Sequence, residues 1–268
     1  MDTDRIRIPA EWEPHKCCWM SWAVHREWGR HLDAVKLELR DVISAIAMHE
    51  SVKLLTPSDL VSEATNQFRG RDVEIIPAPV DDIWMRDILP SFAFRGHSLL
   101  LIDWNFNGWG SSPARRARAG DRLGEALSSL TQLPMIAAPF VAEGGAILTD
   151  GHGTMVVTKS CLLNPNRNPG RNTSEIEEAF SKLGSRQLVW LVGDPDEPIT
   201  SGHPDGYVLF SQSGAILVEH ADERHRTFRR RAQDIRKLRM IRDKFCRRVA
   251  STGALLAGSS PPVTSTLT

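Results

Sequence analysis

Little in this 268-residue sequence invites covalent or metal cross-linking: it has only four cysteines, Cys17, Cys18, Cys161 and Cys246. They fall in no repeating frame and no Cys/His spacing matches a zinc site, so a disulfide scaffold and a structural metal are both excluded. No apolar run approaches the length of a membrane span, and the opening residues MDTDRIRIPAEWEPHKCCWMSW place charges and prolines where a secretory signal needs an unbroken apolar stretch. The expectation is a cytoplasmic protein in a reducing compartment, with no membrane partner. Net charge is absent too, with 33 Lys/Arg against 33 Asp/Glu. That balance hides an asymmetry, because residues 222–248 hold twelve Lys/Arg and four Asp/Glu, leaving 21 against 29 in the rest. An acidic body suits a cationic small ligand and argues against nucleic acid. Tyrosine occurs once against eight tryptophans, while the 41% apolar and 25% charged content is that of an ordinary globular chain.

What is present is a repeated order of elements. Leu32, Val35, Leu39, Val42, Ile43 and Ile46 recur at the three-and-four spacing of a one-faced helix. Two short β-rich runs follow, Ser51–Thr56 and Val73–Ile76, each closed by a proline. A polar segment, DDIWMRD, then leads into a hairpin made of SFAF, the turn pair Arg95-Gly96, and SLLLID. The order returns with a helix near Asp121–Leu130, a strand at Met135–Ala138, the segment Glu143–Gly145 and the hairpin AILTDGHGTMVVT. It returns again with a helix opening at Thr173 in capping-box order, a strand at Gln187–Val192, the segment Gly202–Asp205 and the hairpin YVLFSQSGAILV. A further helix near Arg224 carries Phe228, Ile235, Leu238, Ile241 and Phe245 on one face, with no strand or hairpin predicted after it. These boundaries give a main domain over residues 1–220, a basic amphipathic helix continuing it over 221–250, and a Ser/Thr/Pro/Gly-rich tail over 251–268 expected to be disordered.

Repeated units that each present one equivalent edge bring those edges together, so Asp87, Glu143, His203 and Asp205 are expected to meet. The alternative is an ordinary α/β sheet in which they are unrelated loop positions. Carboxylates around one histidine suit a planar cation: a guanidinium presents N–H donors in a rigid fork that carboxylates accept in pairs. Trp84 would close one face by cation–π contact, His203 would serve as acid and base, and Asp205 would orient it or bind a second edge. Plainer readings exist for each residue: Asp87 pairing with Arg86 or capping a turn, Trp84 as core, Glu143 as a turn carboxylate, and His203 as a structural histidine.

As a set, these segments resemble the agmatine deiminase and bacterial peptidylarginine deiminase family of the pentein superfamily over roughly residues 5–220. IPAEWEPHKCCWMSW is similar to its entry motif, and DIWMRD (Asp82–Asp87) to its guanidinium-binding segment. DWNFNGWG (Asp103–Gly110), EGGAILTDGHGTMVVT, CLLNPNRNP (Cys161–Pro169) and SGHPD look like its next landmarks. The resemblance implies an α/β propeller of helix-strand-hairpin units, incomplete here at the C-terminus. It also implies hydrolysis of a guanidinium to a ureido group with release of ammonia and with no cofactor, agmatine giving N-carbamoylputrescine as in putrescine biosynthesis. In that scheme Asp87 and Asp205 grip the guanidinium, Trp84 packs on it, His203 is acid/base and Glu143 supports the site.

The family's cysteine nucleophile lies in a glycine-rich segment near its C-terminus, and nothing like that segment occurs here; the expectation is a C-terminally truncated relative with impaired chemistry. Pro204 and Ser201 are smaller departures, the first removing a backbone donor between the histidine and the aspartate. Of the cysteines present, Cys17, Cys18 and Cys161 are expected in the core, Cys161 on a buried strand, whereas Cys246 has Lys244, Arg247 and Arg248 to favour its thiolate. The competing readings are an inactive guanidinium-binding or regulatory protein and, from another class, nucleic-acid binding through the basic helix. Against the last, the stripe from Phe228 to Phe245 has the spacing of a helix packed on a core with arginines on its wet face. Oligomeric state is left open.

Overall fold

The protein is described by a computed structural model covering residues 5–24, 26–110, 123–212, 214–241 and 251–252. Strands β1 (Ile6–Arg7) and β2 (Cys17–Ser21) precede helix α1 (Leu32–Ile46), β3 (Ser51–Thr56), α2 (Val61–Gln67) and β4 (Val73–Pro77). Then come α3 (Met85–Ile88), β5 (Ser91–Arg95), β6 (Ser98–Asp103), α4 (Leu123–Thr131), β7 (Met135–Ala137), β8 (Leu148–Thr149) and β9 (Thr154–Thr158). The remainder is α5 (Lys159–Leu162), α6 (Thr173–Lys182), β10 (Gln187–Leu191), β11 (Val208–Phe210), β12 (Ile216–Val218), α7 (Phe228–Leu238) and β13 (Ser251–Thr252). The fold is mixed α/β with four separate sheets, ordered β2-β3-β4, β1-β5-β6-β7, β10-β9-β8 and β11-β12-β13.

Three of these sheets share one rule. An antiparallel hairpin forms first, β5–β6, β8–β9 or β11–β12, and its second strand takes a parallel partner that arrives only after the next helix. Thus β7 lies along β6, β10 along β9 and β13 along β12. A parallel neighbour needs a crossover of a dozen or more residues, and α4, α6 and α7 occupy those crossovers. The β8–β9 turn is set by Gly151 and Gly153, at φ +74° and +104°, in the left-handed region that glycine enters without steric penalty.

Most of the expected elements are present, with informative differences. The α1 stripe buries Ile43 completely but leaves Val42 half exposed, the buried side packing with Val52 and Leu54 of β3 and with Ala64 and Phe68 at α2. The capping box of α6 is closed by Asn172, one residue before Thr173: its side chain accepts from Glu175 N while Glu175 reaches back to Asn172 N. Cys161 sits in α5, at the end of β9 rather than within a strand, and is fully buried. Cys17 and Cys18 are only half buried, on the edge strand β2. A strand does follow α7, where none was expected: Ser251 and Thr252 pair with β12, and residues 253–268 lie outside the described residues. Phe245 and Cys246 lie outside them as well. No helix among the described residues is long and apolar enough to cross a membrane.

Helix α7 is fastened by its one buried carboxylate. Asp234, 1% exposed, accepts from Val192 N at 2.6 Å, Gly193 N at 3.3 Å and the Tyr207 hydroxyl at 2.9 Å. The Arg231 guanidinium carbon lies 3.3 Å from the Tyr207 ring centroid, and Arg226 and Arg230 pair with Asp194 at 2.7 and 3.1 Å. Within the helix Arg231 thus packs on Tyr207 and Arg230 is paired at the surface, while Arg226 makes its pair just before the helix begins. Replacing Asp234 with Ala strands three donors, each costing about 1–3 kcal/mol when left unpaired. The variant is expected to lose about 3 kcal/mol or more in urea unfolding, against about 1 kcal/mol for Tyr207→Phe; equal losses would show that the backbone donors find other partners.

Candidate active site

Each hairpin is preceded by a short polar segment, and the three segments converge. Asp87 comes from α3, Glu143 from the turn before β8, and His203 with Asp205 from the loop before β11. Gly145 marks their meeting point. A Cβ on this residue would stand 2.6 Å from His203 Nδ1 and 2.7 Å from both Asp205 Oδ2 and Asp87 Oδ1, so only glycine lets the three groups close in. The arrangement that repetition predicts is therefore present, and the reading of these residues as unrelated loop positions is not.

Glu143 is the centre of the buried charge. Fully buried, it receives His203 Nε2 at 2.7 Å and two donors of Arg167, Nε at 2.9 Å and Nη2 at 2.5 Å. Burial pushes its pKa up, but the His203 hydrogen bond and the Arg167 charge prevail and hold it below the usual carboxylate range. Burial also opposes protonation of His203, yet the hydrogen bond and charge of Glu143, aided by Asp87 and Asp205, leave its pKa raised. Nε2 is committed to Glu143, so Nδ1 is the ring nitrogen that faces Gly145 and Asp205, 3.7 Å from Asp205 Oδ1.

The loop that carries His203 is tightly specified. Ser201 and Gly202 have φ of +61° and +87°, and a Cβ on Gly202 would stand 2.4 Å from Asp194 N. Thr158 Oγ1, at the end of β9, donates to Gly202 O at 2.7 Å, and Thr200 Oγ1 accepts from His203 N at 3.2 Å. Arg167 Nη2 donates to Thr200 O at 2.9 Å, so the guanidinium that holds Glu143 also holds the loop of its histidine partner.

Asp87 does not pair with Arg86. Its Oδ2 accepts from Trp109 Nε1 and its Oδ1 from Gly145 N, each at 2.9 Å. Asp205 has a raised pKa, first from burial and then from the nearby Asp87, with His203 and Arg86 acting the other way. Trp84, immediately before α3, is 55% exposed and is not core. Glu143, Cys161 and His203 form the one group among the described residues close enough to hold a metal ion. They do not fit one, because Glu143 already accepts from a guanidinium and an imidazole, and burial and the Glu143 charge push the Cys161 thiol pKa well up.

Sequence reasoning missed Arg167, Trp109 and Gly145. The signal for the first two was present, since both lie in segments quoted as landmarks, CLLNPNRNP and DWNFNGWG. A buried Glu next to two glycines also demands a cationic partner from elsewhere in the chain.

The Glu143–His203 pair makes a pH-dependent prediction. A histidine whose folded pKa is raised adds stability that is fully present below its unfolded value of about 6.5 and is lost as pH rises through the folded value. By NMR, His203 should titrate above 6.5, and Glu143→Gln should lower its midpoint; an unchanged midpoint would remove Glu143 as the cause. Arg167→Met should cost about 3–5 kcal/mol in unfolding, the usual cost of leaving one buried charge without its partner.

The family model for Porphyromonas-type peptidyl-arginine deiminase matches residues 7–252. An agmatine deiminase of Medicago truncatula is 34% identical over 242 residues, 82% of this chain and 62% of its own length. A Legionella pneumophila protein that carries the same name provisionally is 37% identical over 218 residues, 78% of this chain. The chain spans 62% of that relative's length. Among solved structures, the agmatine deiminase of Enterococcus faecalis superposes with a TM-score of 0.84 at 25% identity, over 94% of this chain and 71% of that one. A C. jejuni agmatine deiminase solved with substrate bound shares the fold at a TM-score of 0.74 and 22% identity, over 87% and 71% of the two chains. This chain belongs to the Porphyromonas-type peptidyl-arginine deiminase family.

Proposed function

We propose that this chain binds the guanidinium group of a small cation, agmatine in preference to arginine, and carries the acid/base part of an agmatine deiminase-type hydrolysis. The observation that carries this reading is the convergence of Asp87, Asp205 and His203 Nδ1 on Gly145. Each oxygen of Asp87 already accepts one protein donor and keeps a lone pair for another. Asp205 stands 3.7 Å from His203 and 3.9 Å from Arg86, too far for a hydrogen bond, so its acceptor capacity faces the same space. Two carboxylates offered in this way match the fork of a guanidinium, and exposed Trp84 offers a face for it to lie against.

His203 then acts through Nδ1. Deimination replaces one guanidinium nitrogen by oxygen, and the departing nitrogen must take up a proton to leave as ammonia. An imidazolium backed by ionised Glu143 supplies that proton, and the neutral imidazole left behind accepts one from the attacking water. Names borne by relatives favour agmatine, whose product would be N-carbamoylputrescine, a precursor of putrescine. The same reading treats the hairpin-led sheets as propeller blades arranged about Gly145.

A covalent route also needs a thiolate at the guanidinium carbon. Burial pushes the thiol pKa up in Cys17, Cys18 and Cys161, so no cysteine among the described residues is poised as a nucleophile. This favours a second reading, a guanidinium-binding protein with little or no turnover.

The purified chain is expected to bind agmatine by calorimetry, and Asp87→Asn to weaken binding by about tenfold, the effect of losing one charged hydrogen-bond acceptor. Absence of binding, or binding indifferent to Asp87→Asn, overturns the proposal. Ammonia release separates the two readings. Turnover lost in both His203→Ala and Cys246→Ala would assign the nucleophile to Cys246, whereas binding without turnover would establish the second reading.

A further inference from the structure

At the edge of the site one cation stands between two carboxylates. The Arg86 backbone is fixed, for its carbonyl oxygen lies where a Cβ on Gly144 would be, at 2.1 Å. Its guanidinium turns away from neighbouring Asp87. Nη1 donates to Glu11 of the N-terminal segment, and Nε stands 3.9 Å from Asp205 Oδ2. Burial lowers the Arg86 pKa, but Glu11, Asp205 and Asp87 together leave it raised, so the side chain is always charged. Arg86 and Glu11 are 50% and 43% exposed, which leaves both side chains room to move.

Glu11 is not needed to hold the N-terminal segment in place. Glu13 does that two residues later, accepting from Arg7 Nη1 at 2.6 Å and from Ala10 N at 2.8 Å. Trp12 packs among the apolar residues of the β11–β12 sheet, and Arg5 donates to Ser185 O at 3.2 Å. The Glu11 carboxylate is thus available for Arg86. Arg86 carries the same chemical group as the ligand proposed above and lies within a small side-chain movement of the same carboxylate.

We propose that Arg86 is an internal competitor for the guanidinium subsite and that Glu11 is a positioning residue that latches it away from Asp205. The inference rests on the guanidinium-binding reading of Asp87 and Asp205. With the latch made, the Arg86 charge is compensated and Asp205 is open to a ligand. With the latch broken, the guanidinium swings onto Asp205, occupying one acceptor and repelling an incoming cation. Guanidinium affinity is in this way tied to the docking of a segment some 75 residues away in the chain.

The test uses the full chain at pH 8, with methylguanidine as the ligand probe and calorimetry as the readout. Glu11→Gln should weaken binding about fivefold and Arg86→Met should tighten it by a similar factor, the scale of a partly exposed charge interaction. The double variant should behave as Arg86→Met, since the latch has no purpose without the bolt. Single variants that move affinity in the same direction, or a double variant as weak as Glu11→Gln, overturn the latch. A second readout needs no ligand. The Asp205 carboxyl titration, followed by 13C NMR, should move down in Glu11→Gln and up in Arg86→Met, and, because both charges already act on Asp205 in place, the double variant reads the movement: it should titrate as Arg86→Met does and not midway between the singles. Failure of those shifts sinks the latch even if guanidinium binds; the shifts together with no methylguanidine binding sink the guanidinium reading and leave the Arg86 movement standing.

Discussion

A carboxylate with no exposure to water has lost its hydration, and Glu143 exists in that condition only because Arg167 and His203 replace it. Removing two charges from water costs several kcal/mol per ion, and the Coulomb attraction repays this only where geometry is close and the remaining donors are satisfied. Here they are. The Arg167 side chain is 0% exposed, bonds Glu143 through two nitrogens and places another donor bond on Thr200 O. The array links the turn before β8, the segment after α5 and the loop before β11, and so fixes the relative positions of two of the polar segments that form the site.

The third segment is drawn in by a different means. Asp87 is held by the backbone N–H of Gly145 and by the Trp109 indole, and the absence of a Cβ at Gly145 lets His203 and Asp205 approach from the opposite side. The site combines a buried ion pair that sets protonation with a glycine that sets distance. The first determines that His203 presents Nδ1, backed by a negative charge at Nε2. The second determines that Nδ1 faces the carboxylates of Asp87 and Asp205.

These two devices differ in how far they can be read from sequence. The repeated order of helix, strand, polar segment and hairpin was legible because periodicity and turn residues are local signals, and SFAFRGHSLLLID folds as β5–β6 for that reason, although the turn falls at Gly96-His97 and not at the expected Arg95-Gly96, since Arg95 pairs with Ser98. Convergence of Asp87, Glu143, His203 and Asp205 was legible because repetition places equivalent points together. The partner of Glu143 was not, because a buried carboxylate can draw its cation from any segment and Arg167 stands 24 residues away. The local guess for Asp87, a pair with Arg86, fails on geometry, since adjacent helical residues do not face each other. β13 escaped notice because two residues give no periodicity, and its pairing is specified by the β12 edge.

The electrostatics of the cluster also bear on why a cation belongs there. Asp205 is raised in pKa by burial and by the proximity of Asp87, the signature of like charges held close with a gap between them. Arg86 relieves this only in part, from 3.9 Å and with its charge shared with Glu11. A ligand cation placed between Asp87 and Asp205 would stabilise the ionised form of Asp205, so by linkage its binding strengthens as pH rises through the Asp205 titration. The same placement would bring positive charge to the edge of His203 and oppose its protonation, leaving Glu143 and Arg167 to decide whether the imidazole keeps its proton. On the proposed reading the buried array does more than hold the fold: the hydrogen bond and charge of Glu143 favour a proton on His203, and a cation in the adjacent space would oppose it.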